Sequence, residues 1–245
     1  MLPVTTPAAT GVQKILRFIM KNKKLLGIIS IGIVVAILVI DQLIKIHVKT
    51  TMTIGEAVKV TNWFYITFIE NNGMAWGMTF INKLFLSLLR IVAVTAIGWY
   101  IYRVIKTGGR TRYVVFLSMI LAGAAGNIFD SIFYGLCFTA SSPFNVAYTV
   151  PFGSGYAGFL MGKVVDMFYF PIIDTYLPSW LPLVGGERFT FFDPVFNFAD
   201  AAITTGVICL LIFCNKDLSI IGKPVESMGK KADNDGKDNA NKDKE

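Results

Sequence analysis

The sequence predicts an all-α membrane protein: four transmembrane helices, a small outer-face β-sheet and an interfacial loop segment. Three observations carry that prediction. Charged residues make up 16% of the 245-residue chain, where a soluble domain carries about 25%. Four apolar runs are each close to the ~20 residues needed to cross a bilayer core of ~30 Å. Basic residues gather in alternate connections, as in a chain that crosses a membrane an even number of times. The composition excludes a disordered chain and argues against an ordinary cytosolic enzyme. It also argues against a nucleic-acid partner, because the net charge of +7 is explained by where the basic residues sit.

The first span covers residues 25–45 and opens with the uncharged run LLGIISIGIVVAILVI. No small-x-small cleavage site follows it, so it reads as an uncleaved anchor. Lys14, Arg17, Lys21, Lys23 and Lys24 precede it and place residues 1–24 in the cytoplasm. Residues 49–80 are rich in β-branched and aromatic side chains and turn at Asn71-Asn72-Gly73, which predicts a small outer sheet. Trp76 is placed as an interfacial anchor for that wall or lid. The second span covers 84–105, with Arg90 near enough to one end to snorkel. Arg103, Lys106, Arg110 and Arg112 mark the cytoplasmic turn into the third span, 113–137.

An outer insertion follows, about 132–162, rich in Ser, Gly, Pro and aromatics. Residues 164–193 carry aromatics among three prolines and read as interfacial and partly re-entrant. The fourth span covers 194–214. Residues 216–245 are a polar cytoplasmic tail whose end, GKKADNDGKDNANKDKE, reads as disordered. The membrane domain is thus 25–215, with both termini cytoplasmic.

Several chemistries have no residues to stand on. Cys137, Cys209 and Cys214 make no disulfide framework, and His47 is the only histidine. There is no Cys/His cluster with metal spacing and no Gly-rich phosphate loop. What remains is a set of acids. Spans one and three run outward, so Asp41 and Asp130 fall near their outer ends. Span four runs inward, so Asp200 falls near its beginning, at the same level. An acid in a span costs ~2.5–3.5 kcal/mol on insertion scales and is a functional candidate; helix-end acids in the headgroups are the competing reading.

Each acid has a bland alternative. Asp41 and Lys45 share a helix face and make either an end-of-helix ion pair or a substrate-orienting pair. Gly123, Gly126, Asn127 and Asp130 fall at helical spacing, suited to close helix packing or to a polar site. Asn197 and Asp200 repeat the i, i+3 arrangement, where capping and the helix dipole compete with catalysis. Asp166, in GKVVDMF, is desolvated by its neighbours, which raises its pKa. With a second carboxylate nearby it meets the condition of an aspartic protease: two acids, one proton and a water between them. A proton-coupled transporter and a scaffold with polar helix contacts are the other two readings.

Five motifs in order then resemble one family, the bacterial lipoprotein signal peptidases (signal peptidase II). They are Asp41-Gln42-Leu43-Ile44-Lys45, Asn71-Asn72-Gly73-Met74-Ala75-Trp76, Gly123-Ala124-Ala125-Gly126-Asn127-Ile128-Phe129-Asp130, Val164-Val165-Asp166-Met167 and Phe196-Asn197-Phe198-Ala199-Asp200. The resemblance implies that Asp166 and Asp200 are catalytic. It implies that Asp130 supports the site, and that Asp41, Lys45, Asn71, Gly123, Asn127 and Asn197 surround the substrate backbone and the dyad. It further implies cleavage of the signal peptide of a diacylglyceryl-modified prolipoprotein before its lipidated cysteine. No metal, no organic cofactor and no obligate protein partner are implied, and the bacterial inner membrane is the implied location. The sequence departs from the family at Ser131, where an arginine is usual, which leaves Arg90 or Lys163 as candidate partners for Asp130. It departs again in the long interval between Asp130 and Asp166.

Overall fold

The computed structural model describes residues 22–71 and 83–215. The N-terminal basic cluster before residue 22, the turn at Asn72-Gly73, Trp76 and the polar tail lie outside the described residues. The elements in chain order are α1 (Lys23–Thr51), β1 (Ala57–Thr61), β2 (Phe64–Asn71), α2 (Lys83–Lys106), α3 (Thr111–Cys137), β3 (Val164–Tyr169), β4 (Ile173–Tyr176), β5 (Arg188–Phe191) and α4 (Phe198–Phe213). Helices α1, α2 and α3 are long and apolar enough to cross a membrane. Helix α4 is apolar but has 16 residues, a rise of about 24 Å.

Contacts divide the chain into two units. Among the described residues, one holds 22–37, 92–123 and 202–215. Its described core is apolar: Leu26, Ile101, Val104, Tyr113, Val114, Leu117, Leu210 and Cys214. Two polar contacts lie among these groups, Ser30 to Ser118 at 2.7 Å and Tyr100 to Tyr113 at 3.0 Å. Between α2 and α3 the chain reverses at Gly108, whose φ of 81° suits only glycine without strain. The amides of Gly108 and Gly109 close the end of α2 on Ile105 and Val104.

The other unit holds residues 38–71, 83–91 and 124–201. Its sheet has the order β1-β2-β3, all antiparallel. Between β2 and β3 the register slips between Ile66 and Ile69, which is a bulge. Beyond it Ile69 opposes Asp166 and Asn71 opposes Val164, so Asn71 shares the face of Asp166 one step along the strand. The free edge of β3 pairs with Phe196, whose carbonyl accepts from the amides of Met167 and Phe168 at 3.2 and 2.7 Å. Strands β4 and β5 form a separate hairpin, tied at its base by Arg188 to Asp174.

Several boundaries differ from those the sequence suggested, each for a physical reason. Helix α1 runs to Thr51 rather than 45 because Lys45 and Lys49 continue the buried face of Asp41. The sheet therefore starts at Ala57 rather than 49. The insertion begins after Cys137 rather than at 132, since α3 continues to that residue. Residues 164–193 form β3 and a hairpin where a re-entrant segment was expected. Helix α4 begins at Phe198 rather than 194 because Phe196 is used in pairing with β3 and Asn197 caps the helix.

Candidate active site

The site is built on three turns of structure that the fold fixes independently. Asn197 is the N-cap of α4: its Oδ1 accepts the Asp200 amide at 2.9 Å. The Asp200 carboxylate reaches back to the Asn197 amide at 3.4 Å, the reciprocal arrangement of a capping box. Asp41, from α1, accepts the Ala199 amide at 2.9 Å. Two orphan donors at the start of α4 are thus satisfied, one of them by another helix. Capping and the i, i+3 spacing of Asn197 and Asp200 are therefore one fact.

Lys45 is the centre of a buried ionic cluster. Its ammonium lies 3.0 Å from Asp41 Oδ2 and 2.8 Å from Asp130 Oδ2, with all three side chains fully buried. It also donates to Asn127 Oδ1 at 2.9 Å. Lys45 thus partners Asp130, the role left open by Ser131, for which Arg90 and Lys163 had been the candidates. Gln42 donates to Asp130 Oδ1 at 2.8 Å and to Asp41 Oδ2 at 3.1 Å, and accepts from the Tyr134 hydroxyl at 3.0 Å. Removing one partner from a buried pair costs roughly 3–5 kcal/mol, so this cluster tolerates little change. Gly126 lets it form: a Cβ there would sit 2.8 Å from Asp41 Oδ2 and 3.3 Å from Ala199 Cβ.

Two asparagines connect this cluster to Asp166 and Asp200. Asn127 donates to Asp200 Oδ1 at 2.7 Å. Asn197 donates to Asp166 Oδ1 at 2.6 Å and to Asn127 Oδ1 at 3.2 Å. Asn71 donates to Asp166 Oδ2. The Val165 amide points to Asp130 Oδ2 at 3.4 Å, so β3 is held to α3 beside the acid it carries. Asp166, outside the helices, is 3% exposed. Burial pushes its carboxyl up to about 7, and the Asp200 charge adds to the rise against the Asn197 hydrogen bond and the Lys45 charge. Arg90, on α2, lies within electrostatic range of Asp200, Asp130 and Asp166.

Of the residues picked from the sequence, Asp41, Lys45, Asn71, Asn127, Asp130, Asp166, Asn197 and Asp200 share one network. Gly123 lies on α3 one turn before Asn127 and brings no polar side chain to it. Sequence reasoning passed over Gln42 and Tyr134. Gln42 stood inside a quoted motif, and only the helix approach shows what it does, whereas Gly126 takes the close-packing role its spacing suggested.

Comparisons with known proteins place the chain in a family. The family model for signal peptidase (SPase) II matches residues 33–216. A lipoprotein signal peptidase of Porphyromonas gingivalis is 48% identical over 199 residues, covering 80% of this chain and 86% of the relative. One from Amoebophilus asiaticus is 36% identical over 188 residues, 74% of this chain and 75% of that one. A solved bacterial membrane enzyme aligns with a TM-score of 0.51 at 26% identity, covering 77% of this chain and 93% of the other. A family model that matches residues 33–216, and a relative 48% identical over 80% of this chain, establish that the chain belongs to the signal peptidase II family.

Proposed function

We propose that the protein is an aspartic endopeptidase that removes signal peptides from diacylglyceryl-modified prolipoproteins, with Asp166 and Asp200 as the catalytic pair. The observation that carries this reading is the linkage of the two carboxylates. Asn197 and Asn127 are bonded to each other and each holds one acid, while burial pushes the Asp166 carboxyl up to about 7 and favours its protonated form. Two carboxylates linked in this way are placed to share one proton.

The pair activates a water: one carboxylate takes a proton from it as the oxygen attacks the scissile carbonyl. The protonated partner gives its hydrogen to the carbonyl oxygen. In the tetrahedral intermediate the carboxyl that took the water proton gives it to the amide nitrogen, the C–N bond breaks, and a hydroxyl of the gem-diol passes its proton to the other carboxylate, so the pair again shares one proton. The apolar surroundings keep that proton in place and limit water. The lipid chains of the substrate remain in the bilayer while the peptide reaches the pair. The basic connections support four spans, with α4 as the fourth, cytoplasmic termini and a site toward the outer face.

The test compares a diacylglyceryl-modified prolipoprotein with its unmodified form. Wild type is expected to cleave only the modified one. Asp166→Asn and Asp200→Asn are expected to insert and fold normally, with cleavage down at least about a thousandfold. Full activity in either purified variant refutes the assignment.

A further inference from the structure

A second buried ionic cluster lies beyond the catalytic network. Lys49, fully buried, ion-pairs with Glu70, which is 2% exposed. Lys49 also donates to Ser141 Oγ at 2.9 Å, and Ser141 donates to Glu70 Oε1 at 2.8 Å. Lys163 lies 3.6 Å from the other Glu70 oxygen. The Lys49 ammonium faces the rings of Phe138 and Tyr156, at 5.5 and 5.1 Å. Replacing such a cluster by packed apolar groups is often neutral or stabilising, so fold stability alone does not explain it.

Its position does. Glu70 and Asn71 are the last residues of β2, and Lys163 directly precedes Val164, the partner of Asn71. Neighbouring strand residues point to opposite faces. The cluster therefore grips the end of β2 from one face while Asn71 holds Asp166 on the other. Ser141 and Tyr156 come from the insertion. That insertion is not loosely attached: the amides of Val150, Gly153 and Ala157 bond to the carbonyls of Cys137, Leu136 and Gly135 at the end of α3. A Cβ at Gly162 would fall 2.2 Å from the Asp130 carbonyl oxygen.

We propose that Glu70 is a positioning residue for catalysis, locked by Lys49 and by Ser141 of the insertion, and that this lock holds Asn71 against Asp166. The inference rests on the catalytic role of Asp166. Asn71 donates to Asp166, which favours the ionised acid. A slackened Asn71 therefore raises the alkaline limb of the pH–rate profile, the limb on which Asp166 loses the proton it gives. The other groups around Asp166 (Asp200, Asp130 and Lys45) and around Glu70 (Lys49, Lys163 and Tyr156) stay unchanged in the variants compared.

The test is the pH dependence of kcat/KM for cleavage of a diacylglyceryl-modified prolipoprotein by full-length wild type, Glu70→Gln, Ser141→Ala, Asn71→Ala and Glu70→Gln/Asn71→Ala. Glu70→Gln should raise the alkaline limb by about half a unit or more, with kcat lowered by the lost positioning and KM nearly unchanged. Asn71→Ala should do the same. The double variant should show no further shift, because Glu70 acts through Asn71. Ser141→Ala should give a smaller shift in the same direction, and it decides the matter if Glu70→Gln does not fold. A limb that stays put in Glu70→Gln or, failing that, in Ser141→Ala overturns the proposal, as do additive shifts. Asp166→Asn is measured alongside. Activity surviving there removes the dyad reading and this one together, whereas a dead Asp166→Asn with an unmoved limb removes only the positioning role.

Discussion

At Asp166 burial and the neighbouring Asp200 charge both oppose ionisation, and the carboxyl is pushed up to about 7. In the unfolded chain it titrates near 3.9. The folded state therefore holds a proton that the unfolded state has lost between these values, and stability falls as pH rises through that window. Below pH 4 the residue is protonated in both states and contributes no such loss. Thermal unfolding of wild type and Asp166→Asn in detergent should show the difference shifting in favour of the variant from pH 4.5 to 8. A difference that is constant with pH would mean that Asp166 ionises freely in the fold. The acid was legible in the sequence from Val164, Val165 and Met167 around it. Asn71 and Asn197, 95 and 31 residues away along the chain, were reached only through the family resemblance, and their direct bonds to Asp166 come from the fold.

Among the elements, the long helices were legible because lipid demands uninterrupted apolar runs. Strand β3 was not: six residues of VVDMFY look like the edge of any apolar segment, and their partners in β2 are remote. The shortened start of α4 has the same origin, since a single bridge to β3 converts the expected first turn into a strand and a cap. Gly126 is where helix packing and site geometry meet. Gly126→Ala must displace either Asp41 or Ala199, an overpacking cost of about 1–3 kcal/mol, and it disturbs the cap that Asp41 places on α4. Gly32→Ala, with open space around it, should be neutral or slightly stabilising. Melting temperatures and initial cleavage rates should separate the two: Gly126→Ala loses both stability and about tenfold or more in rate, Gly32→Ala neither. Equal behaviour would mean that the close approach of these groups does not shape the site.

For the whole molecule, the distribution of charge supports an orientation that no helix supports alone. The end of α2, the turn after it and the start of α3 carry Arg103, Lys106, Arg110 and Arg112. The insertion, by contrast, has no charged residue from Ser131 to Gly162 and exposes Phe144, Tyr148 and Phe152. A water-facing loop of that length would carry charge, whereas an aromatic, uncharged one suits the outer membrane interface. Orientation can be read by labelling single cysteines after Cys137, Cys209 and Cys214 are replaced. In spheroplasts, an impermeant maleimide should label Phe144→Cys and Val58→Cys directly, and Lys106→Cys only after permeabilisation. The opposite pattern would put the insertion and β1 on the cytoplasmic side. Asp166 would go with them, because β3 is bonded to the same sheet as β1 and follows the insertion by a few residues. The acids would then face the compartment where the basic connections were expected. The even topology and the outer-level peptidase site therefore stand or fall on the same three labels.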